Sequence, residues 1–331
     1  MRSGRKATIS VLAAALPSSG CTGIQSALDP AGSEASDVAQ LFWVMVVGGA
    51  IIWAAVVGLL FYASRTRRRI YSEQDASRLI LWGGAVFSPL VLAALLGYAF
   101  WLMPALRPLP DPAAASTALR IEVTGEQFWW RVSYRRGETG APIASANEIR
   151  LPVGERVEFV LTSSDVIHSF WIPSLGGKMD MIPGRANRLS LLATKAGMFR
   201  GPCAEYCGTS HALMAFTAVA MPPADFEAWL AQQAAPSAGA AGPGLAAFLG
   251  NGCGACHAVL GTKARGTIGP DLSHIGSRET LGAGILPNTE DALARFIARP
   301  DAFKPGSKMP AYAMLPDEEL RSIATYLKGL R

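Results

Sequence analysis

The chain's 331 residues leave room for two or three domains, yet half of them are hydrophobic and only 17% are charged. That balance excludes an ordinary soluble protein, and the apolar excess lies in the first third. The formal charge of +5 does not indicate nucleic acid, because Arg65, Arg67, Arg68, Arg69 and Arg78 cluster between two apolar segments, as membrane topology requires.

Residues 1–20 carry Arg2, Arg5 and Lys6 before a short apolar run over 9–16. The run is far below the roughly 20 residues of a spanning helix, so an export signal is expected. Cys21 would then be the lipidated first residue of the mature chain, although Ser18 stands where such signals usually carry leucine. The other reading is a disordered terminus with a spare thiol. After an exterior segment, 21–40, come apolar runs at 41–63 and 79–103. Each is long enough for a hydrocarbon core of ~30 Å, and Trp43, Tyr62, Trp82, Tyr98 and Trp101 lie near their ends. The basic link at 64–78 places that turn in the cytoplasm, so both the N-terminus and everything after the 41–103 hairpin lie outside.

A Pro/Ala-rich linker is expected over 104–117. From 118 the pattern turns to short β-branched and aromatic runs at 119–124, 128–134, 156–162, 166–172 and 189–193, divided by Gly, Pro, Asn and Ser. This predicts a small all-β sandwich or barrel over 118–233, closing with a strand near 214–221 and a helix at 224–233. A second, uncharged linker is expected at 234–244, then a mainly helical domain at 245–331. In its last helix Leu320, Ile323, Ala324 and Leu327 share one face, with Asp317, Glu318 and Glu319 in the first turn.

Cysteine and histidine are scarce: Cys21, Cys203, Cys207, Cys253 and Cys256; His168, His211, His257 and His274. Two tight cysteine pairs, each followed by a histidine, indicate metal or haem chemistry rather than a disulfide scaffold. The loop GPCAEYCGTSHALM at 201–214 gathers soft ligands, and His168 lies upstream in DVIHSFWIP at 165–173. A mononuclear blue-copper site uses two His, one Cys and a weak Met on a β scaffold. Here a second thiolate stands four residues from the first, enough to bridge two metals. A Cys203–Cys207 disulfide would leave His211 and Met214 unexplained, and structural zinc would not select methionine.

This loop resembles the CuA motif of cytochrome c oxidase subunit II, and the likeness extends over the hairpin, the β domain and LGGKMDMIPGR at 175–185. The resemblance implies a cupredoxin-like domain in which Cys203 and Cys207 bridge two coppers and His168 and His211 are terminal ligands. It makes Met214 the weak sulfur ligand and the Glu205 carbonyl the weak oxygen ligand. It further implies that the Glu205 carboxylate helps hold a magnesium or manganese ion against subunit I, and that Asp180 supports that interface or is a turn residue.

The sequence CGACH at 253–257 is the c-type haem attachment pattern, with Cys253 and Cys256 binding the haem covalently and His257 as axial ligand. PGSKMP at 305–310 and GPDL at 269–272 resemble class I cytochromes c. That makes Met309 the second axial ligand, which raises the potential, while Met314 is assigned to packing and His274 to a structural role.

Two positions depart from the family pattern. QFWW at 127–130 has phenylalanine where oxidases fed by a separate cytochrome c carry tryptophan. Phe128, Trp129 and Trp130 are candidate electron-input aromatics, and a tethered donor would relax the need for the missing indole. The other reading of Phe128 is core packing. Leu79 stands where a glutamate often opens a proton path. The expectation is therefore the electron-input subunit of a terminal oxidase in a bacterial inner membrane, an oxidoreductase and translocase whose oxygen chemistry lies in subunit I. Its partners would be subunit I, subunit III, a cytochrome c or bc complex as donor, and membrane lipid. A copper-bearing nitric oxide reductase subunit, or a free-standing tethered shuttle or copper handler, are the alternatives.

Overall fold

The computed structural model describes residues 21–65, 72–106, 119–137 and 140–331. The expected export signal, Arg67, Arg68 and Arg69, and most of the 104–117 linker lie outside the described residues.

Helix α1 (Ser33–Arg65) is 33 residues long, about 50 Å at 1.5 Å per residue, so it exceeds a bilayer core. Its first two turns are not in lipid. Glu34, Ala35 and Ala39 are buried against the β domain, with Ala31 and Gly32 bonded to Ser174 O. The exterior segment expected at 21–40 is thus docked in part, and the remaining helix presents apolar side chains such as Trp53 and Leu60 outward. The second span runs through α2 (Glu73–Leu79), a π-helical stretch (Ile80–Val86) and α3 (Phe87–Leu106). Ser72 caps α2 by accepting from the Asp75 amide. Among the described residues two helices are long and apolar enough to cross a membrane, as expected.

The β domain is a sandwich. A five-stranded sheet has the order β3 (Ile143–Ala146), β2 (Trp129–Arg136), β1 (Leu119–Glu126), β5 (Arg156–Ser163), β8 (Asn187–Leu192); a three-stranded sheet has the order β4 (Glu148–Pro152), β10 (Ala215–Met221), β9 (Gly197–Pro202). Strands β6 (His168–Phe170) and β7 (Met179–Met181) form a small antiparallel pair. Strict alternation along β1, with Leu119, Ile121 and Val123 fully buried, sends one face into the core. There Phe170 stacks on Phe216 with centroids 4.9 Å apart, and Trp130 meets Phe216 edge-on at 5.3 Å. Each such side chain contributes about 1.5–3 kcal/mol of apolar burial. Helix α4 (Pro223–Gln233) closes the domain, with Phe226 buried near Tyr134.

The 128–134 expectation shifts by one residue, since Phe128 lies in the turn before β2, and the 166–172 run shortens to β6. Strands β3, β4, β7 and β9 were not expected. They are short, and β4 and β9 end in proline, so alternation has little length in which to register.

Residues 234–244 do not form the slack linker the composition suggested. Ser237 Oγ donates to Arg331 O and Tyr326 OH donates to Ala240 O. The C-terminal domain follows: α5 (Leu245–Gly250), α6 (Cys253–Cys256), a hairpin of β11 (Thr280–Leu281) and β12 (Leu286–Pro287), α7 (Glu290–Ala298), α8 (Pro300–Phe303) and α9 (Asp317–Gly329). The periodic face of α9 buries Leu320, Ile323, Ala324 and Leu327, as its spacing predicts.

Candidate metal and cofactor sites

The loop between β9 and β10 carries most of the first site, and β6 carries His168 to it across the sandwich. His168, Cys203 and Cys207 are all buried, with ligand atoms within 4.8 Å of one another. The sulfurs of Cys203 and Cys207 are 3.9 Å apart; Cys203 Sγ lies 3.8 Å from His168 Nδ1, and Cys207 Sγ 3.6 Å from His211 Nδ1 and 3.8 Å from Met214 Sδ. Cys203 Sγ also sits 3.3 Å from Glu205 O. All six ligand atoms expected from the sequence therefore converge.

These separations test the fit for a metal pair. With metal–sulfur bonds of about 2.3 Å and metal–nitrogen bonds of about 2.0 Å, tetrahedral angles put two bridging sulfurs roughly 3.8 Å apart and each nitrogen roughly 3.5 Å from a sulfur, close to the separations seen. The thiols also share charge: Cys207 S–H and His168 favour ionised Cys203, whose charge then holds the Cys207 thiol up. Both imidazoles turn Nδ1 inward. His168 donates from Nε2 to Asp165 Oδ1 at 2.9 Å, which fixes the ring's orientation. A Cβ on Gly125 would meet the His168 ring at 2.7 Å, so only glycine lets the imidazole lie there.

The Asp165 carboxylate also accepts from Gln127 N at 2.8 Å, Val166 N at 2.8 Å and Lys308 Nζ at 3.2 Å. Burial alone would raise its pKa, but these donors and His168 together hold it below the ordinary carboxylate range. Gln127 Nε2 donates to Cys207 O at 2.7 Å, tying the β1–β2 turn to the copper loop.

The second site is a cleft with about 1350 Å³ of atom-free space, part of it open to solvent. Cys253, Cys256, His257 and Met309 line it together with Leu272, Leu293, Ile297 and Tyr312. His257 Nδ1 donates to Pro270 O at 2.8 Å, leaving Nε2 free, and a Cβ on Gly269 would clash with the ring at 2.6 Å. Burial lowers the His257 pKa, which favours the neutral, ligating imidazole. Met309 lines the cleft, whereas Met314 is 76% exposed, so the packing role expected for Met314 is corrected: its side chain faces solvent. His274 is buried, with Nε2 donating to Ala235 O.

Sequence reasoning missed the cations of this cleft. Lys304, 4% exposed, donates to Gly282 O, and Arg278 donates to Asp271 O, both at 2.5 Å. Among the described residues no carboxylate lies within salt-bridge distance of either. Burial pushes the Lys304 pKa down to about 7, against a smaller opposing effect of Cys207. An apolar cleft with two cations lacking anionic partners fits a flat apolar ligand bearing carboxylates, as haem is. Nothing in the spacing around Lys304 marks it in advance.

The cleft opens against the copper domain. Phe128, 5% exposed, lies between Gly208 of the copper loop and Gly306 of the Met309 loop. It is packed between the domains, which favours the core-packing reading of this position. Trp130 has no exposed surface either, because alternation along β2 points it into the core. Trp129 lines the cleft, under the Arg131 guanidinium at 4.7 Å. Around them Ser210 Oγ donates to Pro305 O at 2.6 Å, Ala215 N donates to Ala283 O at 2.9 Å and Arg131 donates to Thr267 O at 2.9 Å. Glu205 Oε1 accepts from the Tyr206 amide at 3.3 Å, and the Asp180 carboxylate is engaged by Lys178 and Ser169.

Residues 140–221 match the family model of the periplasmic domain of cytochrome c oxidase subunit II, and residues 241–331 match the cytochrome c model. A cytochrome c oxidase subunit 2 of Alkalihalophilus pseudofirmus is 32% identical over 330 residues, covering 94% of this chain and 93% of that protein. One of Bacillus sp. PS3 is 33% identical, covering 68% and 66%. The crystal structure of the periplasmic domain of a Bradyrhizobium japonicum cytochrome oxidase subunit II is 33% identical, with TM-score 0.32, covering 35% of this chain and 94% of that one.

Proposed function

Because the chain belongs to the cytochrome c oxidase subunit II family, we propose that its residues divide the work of an electron-input subunit in the following way. The chain is a membrane-anchored, electron-input subunit of a terminal haem–copper oxidase, and subunit I is its partner. It brings a copper centre and a haem c to that complex.

His168, Cys203, Glu205 (through its carbonyl), Cys207, His211 and Met214 hold the copper pair. Cys253 and Cys256 hold the haem covalently, with His257 and Met309 as axial ligands. Arg278 and Lys304 face its carboxylates. When bound, the two groups would each supply one-electron storage. Around them the chain excludes water, orients imidazoles through Asp165 and Pro270, and keeps the Met309 loop against the copper loop. The convergence of all six copper-ligand atoms is the observation that carries this reading.

A cytochrome c or bc complex is the donor, subunit III a further partner, and a bacterial inner membrane the location, with both globular domains on the exterior face. Glu205 offers its carboxylate to a magnesium or manganese ion completed by subunit I. Cys21 is the lipidation position, and 118–233 and 245–331 are the two globular units. No observation favours the nitric oxide reductase or free-standing alternatives.

Electron paramagnetic resonance of the purified chain tests the assignment. A seven-line mixed-valence copper signal beside a low-spin His/Met haem is expected. One copper, or none, with free Cys203 and Cys207 overturns it.

A further inference from the structure

Asp165 belongs to the copper domain, and it touches both sites. One oxygen accepts from His168 Nε2 at 2.9 Å; the other accepts from Lys308 Nζ at 3.2 Å and from Gln127 N at 2.8 Å. Lys308 directly precedes Met309 in the chain. Gln127 in turn holds Cys207 O, so the same carboxylate braces the turn that grips the copper loop. Beside it, Thr209 and Ser210 both donate to Pro305 O, at 3.1 and 2.6 Å. The two ligand loops therefore meet edge to edge, with one carboxylate held between a copper ligand, His168, and the residue that precedes a haem ligand, Lys308.

We propose that Asp165 and Lys308 form a coupling pair. Asp165 sets the His168 imidazole for copper, and through Lys308 it holds the Met309 loop in the pose from which the haem passes its electron on. This rests on the function proposed above. Both are positioning residues, and neither ligates metal. The step they support moves one electron from haem to copper pair and no proton. The ion pair also accounts for its own asymmetry. The Asp165 side chain is 18% exposed and anchored by three further donors, whereas the Lys308 side chain is 65% exposed and has no second partner among the described bonds. Losing the lysine should therefore release the haem loop and leave the copper ligand set as it is. Losing the carboxylate should disturb both.

The test uses the full chain loaded with haem and copper. A photoreductant delivers one electron to the haem, and haem reoxidation is timed alongside copper spectroscopy. Since a half-exposed ion pair is weak, Lys308→Gln should slow transfer by about two- to fivefold with an unchanged copper signal, and Lys308→Arg should restore it. Rising salt should slow the wild type toward the Lys308→Gln rate and leave that variant flat. Asp165→Asn should slow transfer at least as much and also alter the copper hyperfine pattern. The double variant should be no slower than Asp165→Asn alone. Wild-type rates in Lys308→Gln, or additive slowing in the double variant, overturn the proposal. If Asp165→Asn takes up no copper, that supports its hold on His168, and the Lys308 series with its salt dependence decides the rest. A wild-type chain lacking the dinuclear copper signal would overturn the function itself, which is a distinguishable failure.

Discussion

At the scale of single residues, both sites depend on imidazoles lying flat against glycine. Gly125 admits the His168 ring and Gly269 the His257 ring, each at a separation no Cβ permits. Gly125→Ala should therefore cost most of the copper occupancy, read as copper per chain and as loss of the dinuclear signal. Gly177→Ala in the same domain, where a Cβ meets nothing within 4 Å, should keep full loading. On the haem side, Met309→Leu should lower the midpoint potential and change the axial-ligand spectrum, because methionine ligation raises the potential. Met314→Leu, at a 76% exposed position, should change neither in a redox titration.

At the scale of elements, loops carry the chemistry and strands hold them in place. Lys304, at the end of α8, is an example of a loop-edge group whose state depends on its neighbours. Folded, it loses its proton near pH 7; unfolded, a lysine keeps it until about 10.4. Between those values the unfolded chain binds more protons, so the stability of the haem-free chain should rise with pH, by at most about 4 kcal/mol. Denaturant midpoints at pH 7 and pH 10 should show this rise in wild type and a flat response in Lys304→Met. Haem carboxylates beside the ammonium should shrink the rise in the loaded chain. Phe128, in the turn between β1 and β2, joins the copper loop to the haem loop. Phe128→Ala should cost roughly 3–5 kcal/mol, read from thermal unfolding.

At the scale of the whole molecule, segments outside the globular units join its parts firmly. Glu34 in the first turn of α1 is 3% exposed, accepts from Arg156 at 2.5 Å and from the Leu192 amide at 3.1 Å, and so fastens the membrane helix to the edge strand β8. Much of the Arg156 pairing is solvent-screened, and the Leu192 N–H bond is part-buried. Glu34→Ala should cost about 1–3 kcal/mol by orphaning that donor, with faster amide exchange at Leu192 as the local readout. Residues 234–244 likewise lie against α9, so the C-terminal domain meets the copper domain as a docked partner and not as a ball on a string.

The sequence by itself determined the chemistry and the class of each segment. Ligand types at fixed spacing, CxxxC with His and Met in one loop and CxxCH in another, are local, and so are a 3.6-residue apolar face and a long apolar run. The copper-loop ligand atoms accordingly lie within 3.9 Å of a neighbouring one, and Cys253, Cys256 and His257 line one cleft. Only the tertiary structure decided what depends on residues far apart in the chain. It brought His168 to Cys203 and Lys308 to Asp165, buried Phe128 under a second domain, left Lys304 and Arg278 without a carboxylate at salt-bridge distance among the described residues, and docked the 234–244 linker. None of these leaves a periodic or compositional trace, because each is a contact between side chains tens to hundreds of residues apart, selected by packing and hydrogen-bond satisfaction and not by local pattern.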